Sequence, residues 1–188
     1  MAISPDDLSR RLHNAQESLD TELKPWQDPS VDWGKAIIAK ACMALRNNNG
    51  GILIIGLNDD GSCDDSPKVT NIETAFNHDA VQEIVSKHSS ERFEVVVHLV
   101  ERGAFKRVML EVPSGVRTPV ISRNNLPKID TAKVQKGSLL PEGQVFVRTL
   151  ESNGRPSSSI AAVADWPRLM EYCFNNREAD YGGPRCLV

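Results

Sequence analysis

A predicted helix that leads directly into a buried strand, at residues 32–57, commits the chain to a fold of mixed helices and strands. Apolar residues recur at helical spacing in "DWGKAIIAKACMALRNN". The following "GILIIGL" is too short and too rich in β-branched residues for a helix, and is typical of a strand buried on both faces. Between them, "NNNGG" is consistent either with a glycine cap or with a loop whose N–H groups approach a phosphate.

The remaining periodicities predict the elements around this pair. They are a helix over residues 5–16, a strand within 18–24, a helix over 78–88 capped by Asn77, two hairpin strands within 92–113, a strand within 143–152 and a helix from 165. This order predicts an α/β fold (α+β, two-layer) with a mixed sheet and flanking helices. We expect one domain over residues 1–165, and a C-terminal helix and tail at 166–188 that could lead into a further domain.

Composition excludes several classes of protein. The chain has 188 residues, of which 40% are hydrophobic and 25% charged, as in an ordinary globular domain. No apolar run reaches the length of a membrane span, and the N-terminus has no apolar signal core, so we expect a cytoplasmic protein without a membrane partner. The cysteines are scattered and form no C-x-x-C pair, which argues against a zinc finger or a disulfide framework. They are Cys42, Cys63, Cys173 and Cys186.

Common enzyme motifs are also missing. The sequence contains no G-x-x-x-x-G-K-[ST], no G-x-G-x-x-G and no G-x-S-x-G, so it gives little support to nucleotide folds or serine hydrolases. The histidines have no recognisable catalytic partner, and we interpret them as surface or packing residues. They are His13, His78, His88 and His98.

Charge is unevenly distributed along the chain. A net charge of −3 argues against coating of nucleic acid by bulk attraction. Residues 117–136, however, form a locally basic segment with Asp130 as its single acid, and this segment could hold a polyanion or could be a solvated loop. Its basic residues are Arg117, Arg123, Lys128, Lys133 and Lys136.

A candidate site follows from the early strand and from the turn after the buried strand. The alternation in "SLDTELK" places Glu22 and Lys24 on one strand face, and Asp59 and Asp60 follow "GILIIGL". If the two strands are neighbours, the carboxylates of Glu22 and Asp59 can approach one ion, and Mg²⁺ and Mn²⁺ prefer such oxygen ligands. Glu and Lys also alternate on ordinary solvated strand faces, so that alternative stays open.

Four stretches in this order resemble the Schlafen AlbA_2 family. They are "ESLDTELK", "IIAKACMALRNNNGGILIIGLNDDG", "LEVPSGVRTPV" and "GQVFVRTLESN". They correspond to an E-x-K strand, a helix ending in Asn and Gly-Gly, a Val-Pro-x-x-x-x-Pro segment and a Val-Arg strand. Two departures are that Leu45-Arg46 and Leu57-Asn58 replace the usual Phe-Ala and Val-Asp.

The resemblance implies a set of site residues. Glu17 and Glu22 match the spacing of two family carboxylates, Lys24 matches the family lysine, and the third carboxylate falls on Asp59, with Asp60 as the alternative. In members of the family that cleave RNA, three such carboxylates hold a divalent metal. By resemblance, Glu17, Glu22 and Asp59 would therefore bind Mg²⁺ or Mn²⁺, with Lys24 near the scissile phosphate.

The resemblance also implies a function and partners. It implies binding of nucleic acid, with RNA favoured over DNA, and metal-dependent cleavage of structured RNA such as tRNA. Residues expected to hold the backbone are Arg117, Arg123, Lys128, Lys133 and Arg148. Vertebrate members join two such lobes into one clamp, so this single lobe is expected to form a homodimer. The alternatives are non-catalytic DNA or RNA binding, or ATP binding, within a multi-domain regulator or defence protein.

Overall fold

A computed structural model of the chain describes residues 4–127 and 138–180. The helices are α1 (Pro5–His13), α2 (Asp32–Asn47), α3 (Ile72–Ala75), α4 (His78–His88) and α5 (Trp166–Asp180), with a 3-10 helix at Val163–Asp165. The strands are β1 (Thr21–Lys24), β2 (Gly51–Ile55), β3 (Val96–Arg102), β4 (Phe105–Val112), β5 (Leu126–Pro127), β6 (Ser138–Leu140), β7 (Phe146–Leu150) and β8 (Pro156–Ile160). The predicted α+β class is confirmed. The prediction missed α3, β5, β6 and β8.

The central sheet has four strands in the order β1-β2-β4-β3. β1 runs parallel to β2, with Glu22 opposite Leu53, whereas β4 runs antiparallel to both of its neighbours. The sheet is therefore mixed, as predicted. Because β1 and β2 are parallel neighbours, the end of β1 at Lys24 and the turn after β2 meet at one edge of the sheet.

The two faces of the sheet pack on different helices. Leu8 and Leu12 of α1 lie in one buried cluster with Leu23 and Ile52, whereas Leu53 belongs to the larger cluster that α2 and α4 cover. Burying a leucine side chain fully contributes about 1.5–3 kcal/mol. The alternation of side chains along β1 and β2 therefore fixes which residues face each helix.

The segment "NNNGG" is a helix cap. The N–H of Gly50 donates to the carbonyl of Leu45 at 2.8 Å, and Asn49 and Gly50 both have positive φ. A Cβ on Gly50 would lie 2.8 Å from the backbone nitrogen of Ser114, and one on Gly51 would lie 2.3 Å from the carbonyl oxygen of Asp20. The glycines therefore permit a turn and a close packing of backbones, which favours the cap over the phosphate loop.

Side chains at the end of α2 hold distant loops in place. Asn47 is buried, and its Nδ2 donates to the carbonyls of Val120 at 2.9 Å and Phe146 at 2.8 Å. Arg46 donates to the carbonyl of Pro113 and pairs with Glu91 at 2.6 Å. The bonds of Asn47 fix the start of β7 against α2, and those of Arg46 fix the segments at Pro113 and Glu91, so both side chains have structural roles.

Helix α5 begins just after the boundary predicted at residue 165. Leu169 and Cys173 of α5 are buried in the same cluster as the face of α2. The side chain of Thr149 also donates to Asp165 at 3.0 Å, next to the start of the helix. α5 therefore packs against the body of the domain. None of the helices in the described ranges is long and apolar enough to span a bilayer.

The cysteines within the described residues are free thiols. Cys42 and Cys173 are buried and Cys63 is half-buried, while Cys186 lies outside the described residues. Burial raises the pKa of the Cys42 thiol, so this group stays protonated and packs as a small apolar side chain.

The buried side chain of His88 is expected to make the stability of the fold depend on pH. Its side chain is 2% exposed, and neither ring nitrogen has a hydrogen-bond partner among the described residues. Burial, together with the charges of Lys87 and Lys35, lowers the pKa of His88. The unfolded chain then takes up a proton near pH 6.5 before the folded chain does, so the free energy of unfolding falls as the pH drops below that value.

We expect His88→Leu to flatten this loss of stability at low pH. At pH 5.5 the stability relative to pH 7.5 should improve by at most about 1.4 kcal/mol, because pH 5.5 lies one unit below the ordinary histidine pKa of 6.5. Chemical denaturation at the two pH values measures the difference. The exposed His78 provides the matched control, His78→Leu, and equal pH dependence of the two variants would contradict the prediction.

Candidate functional site

A cleft of about 640 Å³ lies at the edge of the sheet where β1 and β2 end. Its wall is formed by β1, α2, the turn after β2 and the β7–β8 hairpin. Its acidic residues are Glu17, Glu22, Asp59, Asp60 and Glu151, and its basic residues are Lys24, Lys40 and Arg155. The structure therefore brings Asp59 into one cleft with Glu17, Glu22 and Lys24, although Asp59 comes from a separate part of the sequence.

Glu22 is the most enclosed carboxylate of the cleft, with a residue exposure of 1%. Its Oε1 lies 3.1 Å from Nζ of Lys24. Its Oε2 accepts a hydrogen bond of 2.6 Å from the hydroxyl of Ser158 and lies 3.4 Å from Nη1 of Arg148. A buried carboxylate is tolerated only when it is paired and hydrogen-bonded, and each oxygen of Glu22 meets this requirement.

Glu17 lies before β1 and shares both cations with Glu22. Its Oε1 accepts a hydrogen bond from the N–H of Leu23 at 3.2 Å, and lies 3.9 Å from Nζ of Lys24 and 4.0 Å from Nη2 of Arg148. Burial raises the pKa of Glu17 in spite of that hydrogen bond and the two cations. Glu17 therefore takes up a proton at a higher pH than an exposed glutamate does.

Arg148 lies beneath the two glutamates, and its position corrects one sequence prediction. Its side chain is fully buried, and Nη2 donates to the carbonyls of Ser18 at 2.7 Å and Thr21 at 3.1 Å. A guanidinium held in this way cannot contact a nucleic-acid backbone, so the expected binding role of Arg148 is wrong. It instead anchors the segment before β1 and offsets the charge of Glu17 and Glu22.

The turn after β2 distinguishes Asp59 from Asp60. Asp60 accepts hydrogen bonds from the N–H of Ser62 at 2.9 Å and from its hydroxyl at 2.6 Å, and these bonds lower the pKa of Asp60. In the part of the chain that the structure describes, Asp59 has no such bond and is exposed to the cleft. A Cβ on Gly61 would lie 2.8 Å from the carbonyl oxygen of Ala15, so this turn packs tightly against the end of α1.

The predicted basic segment is only partly described. Arg117 and Arg123 are exposed. Lys128 and Lys133 lie outside the described residues, as does Lys136. The role of this segment in holding a backbone therefore stays a prediction.

Lys40 and Ser158 are among the cleft residues that sequence reasoning missed. Lys40 lies on the inward side of α2, with its Nζ 5.8 Å from the centre of the Phe146 ring. A signal for it existed, since Lys40 stands at helical spacing between the buried residues Ala36 and Ala44. Ser158 lies on β8, a strand whose sequence "PSSSI" has weak strand propensity.

The carboxylates of the cleft, as they are placed, do not fit a bound divalent ion. Within residues 4–127 and 138–180, no group of three His, Cys, Asp or Glu side chains is close enough to hold one. Both oxygens of Glu22 are occupied by Lys24, Arg148 and Ser158. In this arrangement the protein's own cations, and not a metal ion, balance the charge of the buried glutamates.

Comparisons with solved structures found ten similar chains, including the following two. The crystal structure of the DIP2311 protein from Corynebacterium diphtheriae aligns with 88% of this chain at 14% identity and a TM-score of 0.51, and this chain covers 27% of that protein. The solution structure of the N-terminal domain of an ATP-dependent DNA helicase RecG-related protein from Nitrosomonas europaea aligns with 80% of this chain. That match has 19% identity, a TM-score of 0.44 and a coverage of 97% of the domain.

Comparisons by sequence gave one informative result. No curated protein matches the chain significantly. The family model described as Schlafen, AlbA_2 matches residues 17–157, which includes every described element from β1 to β7 and all the acidic residues of the cleft. The chain therefore belongs to the Schlafen AlbA_2 family.

Proposed function

We propose that this protein is a nucleic-acid-binding domain that cleaves RNA in the cleft at the end of β1 and β2. The observation that carries the proposal is the convergence of Glu17, Glu22, Asp59 and Lys24 on that cleft. Family membership supports nucleic acid as the partner, and structured RNA such as tRNA is the substrate we favour over DNA.

Lys24 is suited to act beside the scissile phosphate. Its ammonium lies 3.1 Å from Glu22 and 3.9 Å from Glu17, and donates to the carbonyl of Leu23 at 2.9 Å. It is thus held in one place, and a fixed cation stabilises the negative charge that develops on a phosphoryl group. The adjacent carboxylates can take part in proton transfer if they reach the attacking or leaving group.

The proposal also includes a metal and a partner copy. The Mg²⁺ or Mn²⁺ requirement that the family implies stays a prediction, which the EDTA arm of the cleavage assay tests, although the carboxylates of the described residues do not surround an ion as they are placed. A homodimer is proposed because one lobe with one cleft grips only a short part of a folded RNA. Light scattering with and without RNA measures the mass of the complex.

The decisive assay incubates the protein with labelled tRNA and Mn²⁺, with EDTA in a parallel arm, and resolves the products on a denaturing gel. Defined fragments that disappear with Glu22→Gln would support cleavage in the cleft. Binding without fragments would leave a non-catalytic binding domain, and neither binding nor fragments would overturn the proposal. An ATP-dependent rise in melting temperature would instead favour the nucleotide-binding alternative.

A further inference from the structure

Three cationic side chains line the cleft above the buried Arg148, and they differ in how far neighbouring carboxylates or water already compensate their charge. Lys24 is paired with Glu22 and Glu17, and it also donates to the carbonyl of Leu23. Its charge is therefore largely offset before any ligand enters. Arg155 is exposed in the turn between β7 and β8 and remains hydrated, so a contact with phosphate there gains little.

Lys40 is in a different position from both. It is half-buried on α2, at the wall of the cleft, and its Nζ faces the Phe146 ring at 5.8 Å. In the described part of the chain, no carboxylate lies within ion-pair distance of Lys40. It is thus a partly desolvated cation whose charge is not neutralised by a direct partner.

A cation of this kind is stabilised when an anion enters the cleft. Burial lowers the pKa of Lys40, and the charges of Lys24 and Arg148 add to this effect, while Glu22 opposes it. A phosphate oxygen next to the ammonium would replace part of the lost hydration with a charge-assisted hydrogen bond. The exposed lysines elsewhere on the surface have much less to gain.

We propose that Lys40 is the residue that binds the incoming RNA phosphate in the cleft, while Lys24, already paired with Glu22 and Glu17, acts beside that phosphate only as negative charge develops on it during cleavage. This inference rests on the proposed function and adds the residue that receives the substrate. The ligand class is a phosphodiester of a nucleic acid. The contact would place the phosphate next to the two glutamates, on the α2 side of the sheet.

Fluorescence anisotropy with labelled tRNA in EDTA tests the assignment without cleavage, over a range of salt concentrations. Lys40→Gln should weaken binding by about 5- to 10-fold. The plot of the logarithm of the association constant against the logarithm of the salt concentration should become less steep by about 1, as for the loss of one phosphate contact. Lys40→Arg should restore most of the affinity, because it keeps the charge. Lys68→Gln, at an exposed lysine outside the cleft, should bind within about 2-fold of the wild type.

The outcomes separate the two proposals. If the wild type does not bind RNA, the proposed function fails, and the inference about Lys40 fails with it. If the wild type binds and Lys40→Gln binds as tightly as Lys68→Gln, the proposed function stands and Lys40 is not the phosphate-binding residue. A melting curve shows whether each variant is folded. If Lys40→Gln is not folded, the affinity of Lys40→Arg still tests the assignment.

Discussion

Replacing Glu22 with glutamine is expected to lower the rate of RNA cleavage by about 100-fold or more, in line with the loss of a group that acts on the reacting atoms. Glutamine keeps the shape of the side chain and can still accept a hydrogen bond from Ser158, but it removes the charge that faces Lys24. Single-turnover cleavage of labelled tRNA measures the effect, and circular dichroism shows whether the fold is retained.

The matched control for this variant is Glu73→Gln. Glu73 is exposed, pairs with Lys106 at 2.7 Å and is not among the residues that line the cleft. The Glu73→Gln variant makes the same chemical change outside the cleft, and it should cleave RNA at the wild-type rate. Equal rates for the two variants would show that the carboxylate of Glu22 is not needed for cleavage.

Replacing Arg148 with methionine is expected to be the most destabilising single change in the domain. Arg148 is fully buried and lies within 4.0 Å of both Glu22 and Glu17. Removing one partner of a buried ion pair costs about 3–5 kcal/mol, because the remaining charge stays buried without compensation. For a chain of this size that corresponds to a fall in melting temperature of roughly 6–20 °C.

A second variant separates loss of charge balance from loss of packing. In the double variant Arg148→Met with Glu22→Gln, the uncompensated carboxylate of Glu22 is gone, so the combined loss should be smaller than the sum of the two single losses. Denaturant unfolding of the four proteins gives the coupling energy. Simple additivity, or a melting temperature for Arg148→Met within about 2 °C of the wild type, would contradict the structural role of Arg148.

Local patterns were sufficient to predict the strand that carries Glu22 and Lys24. The alternation in "SLDTELK" requires these side chains to share a face, and Gly51–Ile55 is too apolar to lie anywhere but in the core. Asp59 lines the same cleft because β1 and β2 are neighbours, and the sequence could suggest this pairing but could not establish it. Their parallel pairing supplied this step.

The parts that could not be predicted depend on contacts between residues far apart in the chain. Arg148 looks like a surface cation of a strand, and only its bonds to Ser18 and Thr21, more than 120 positions earlier, show that it is buried. The strand that carries Ser158 forms because β8 pairs with β7, since three serines alone do not favour a strand. In both cases contacts between distant segments, and not the local sequence, determine the structure.

The central claim is that Asp59 acts with Glu17 and Glu22 in one cleft, and adjacent substitutions in one turn test it most directly. Asp59 and Asp60 carry the same group and both line the cleft, but within the described residues only the carboxylate of Asp60 is hydrogen-bonded to Ser62. The single-turnover rate of tRNA cleavage should fall by about 100-fold or more for Asp59→Asn and by less than about 5-fold for Asp60→Asn. Equal rates for the two variants, or a greater loss for Asp60→Asn, would contradict the claim.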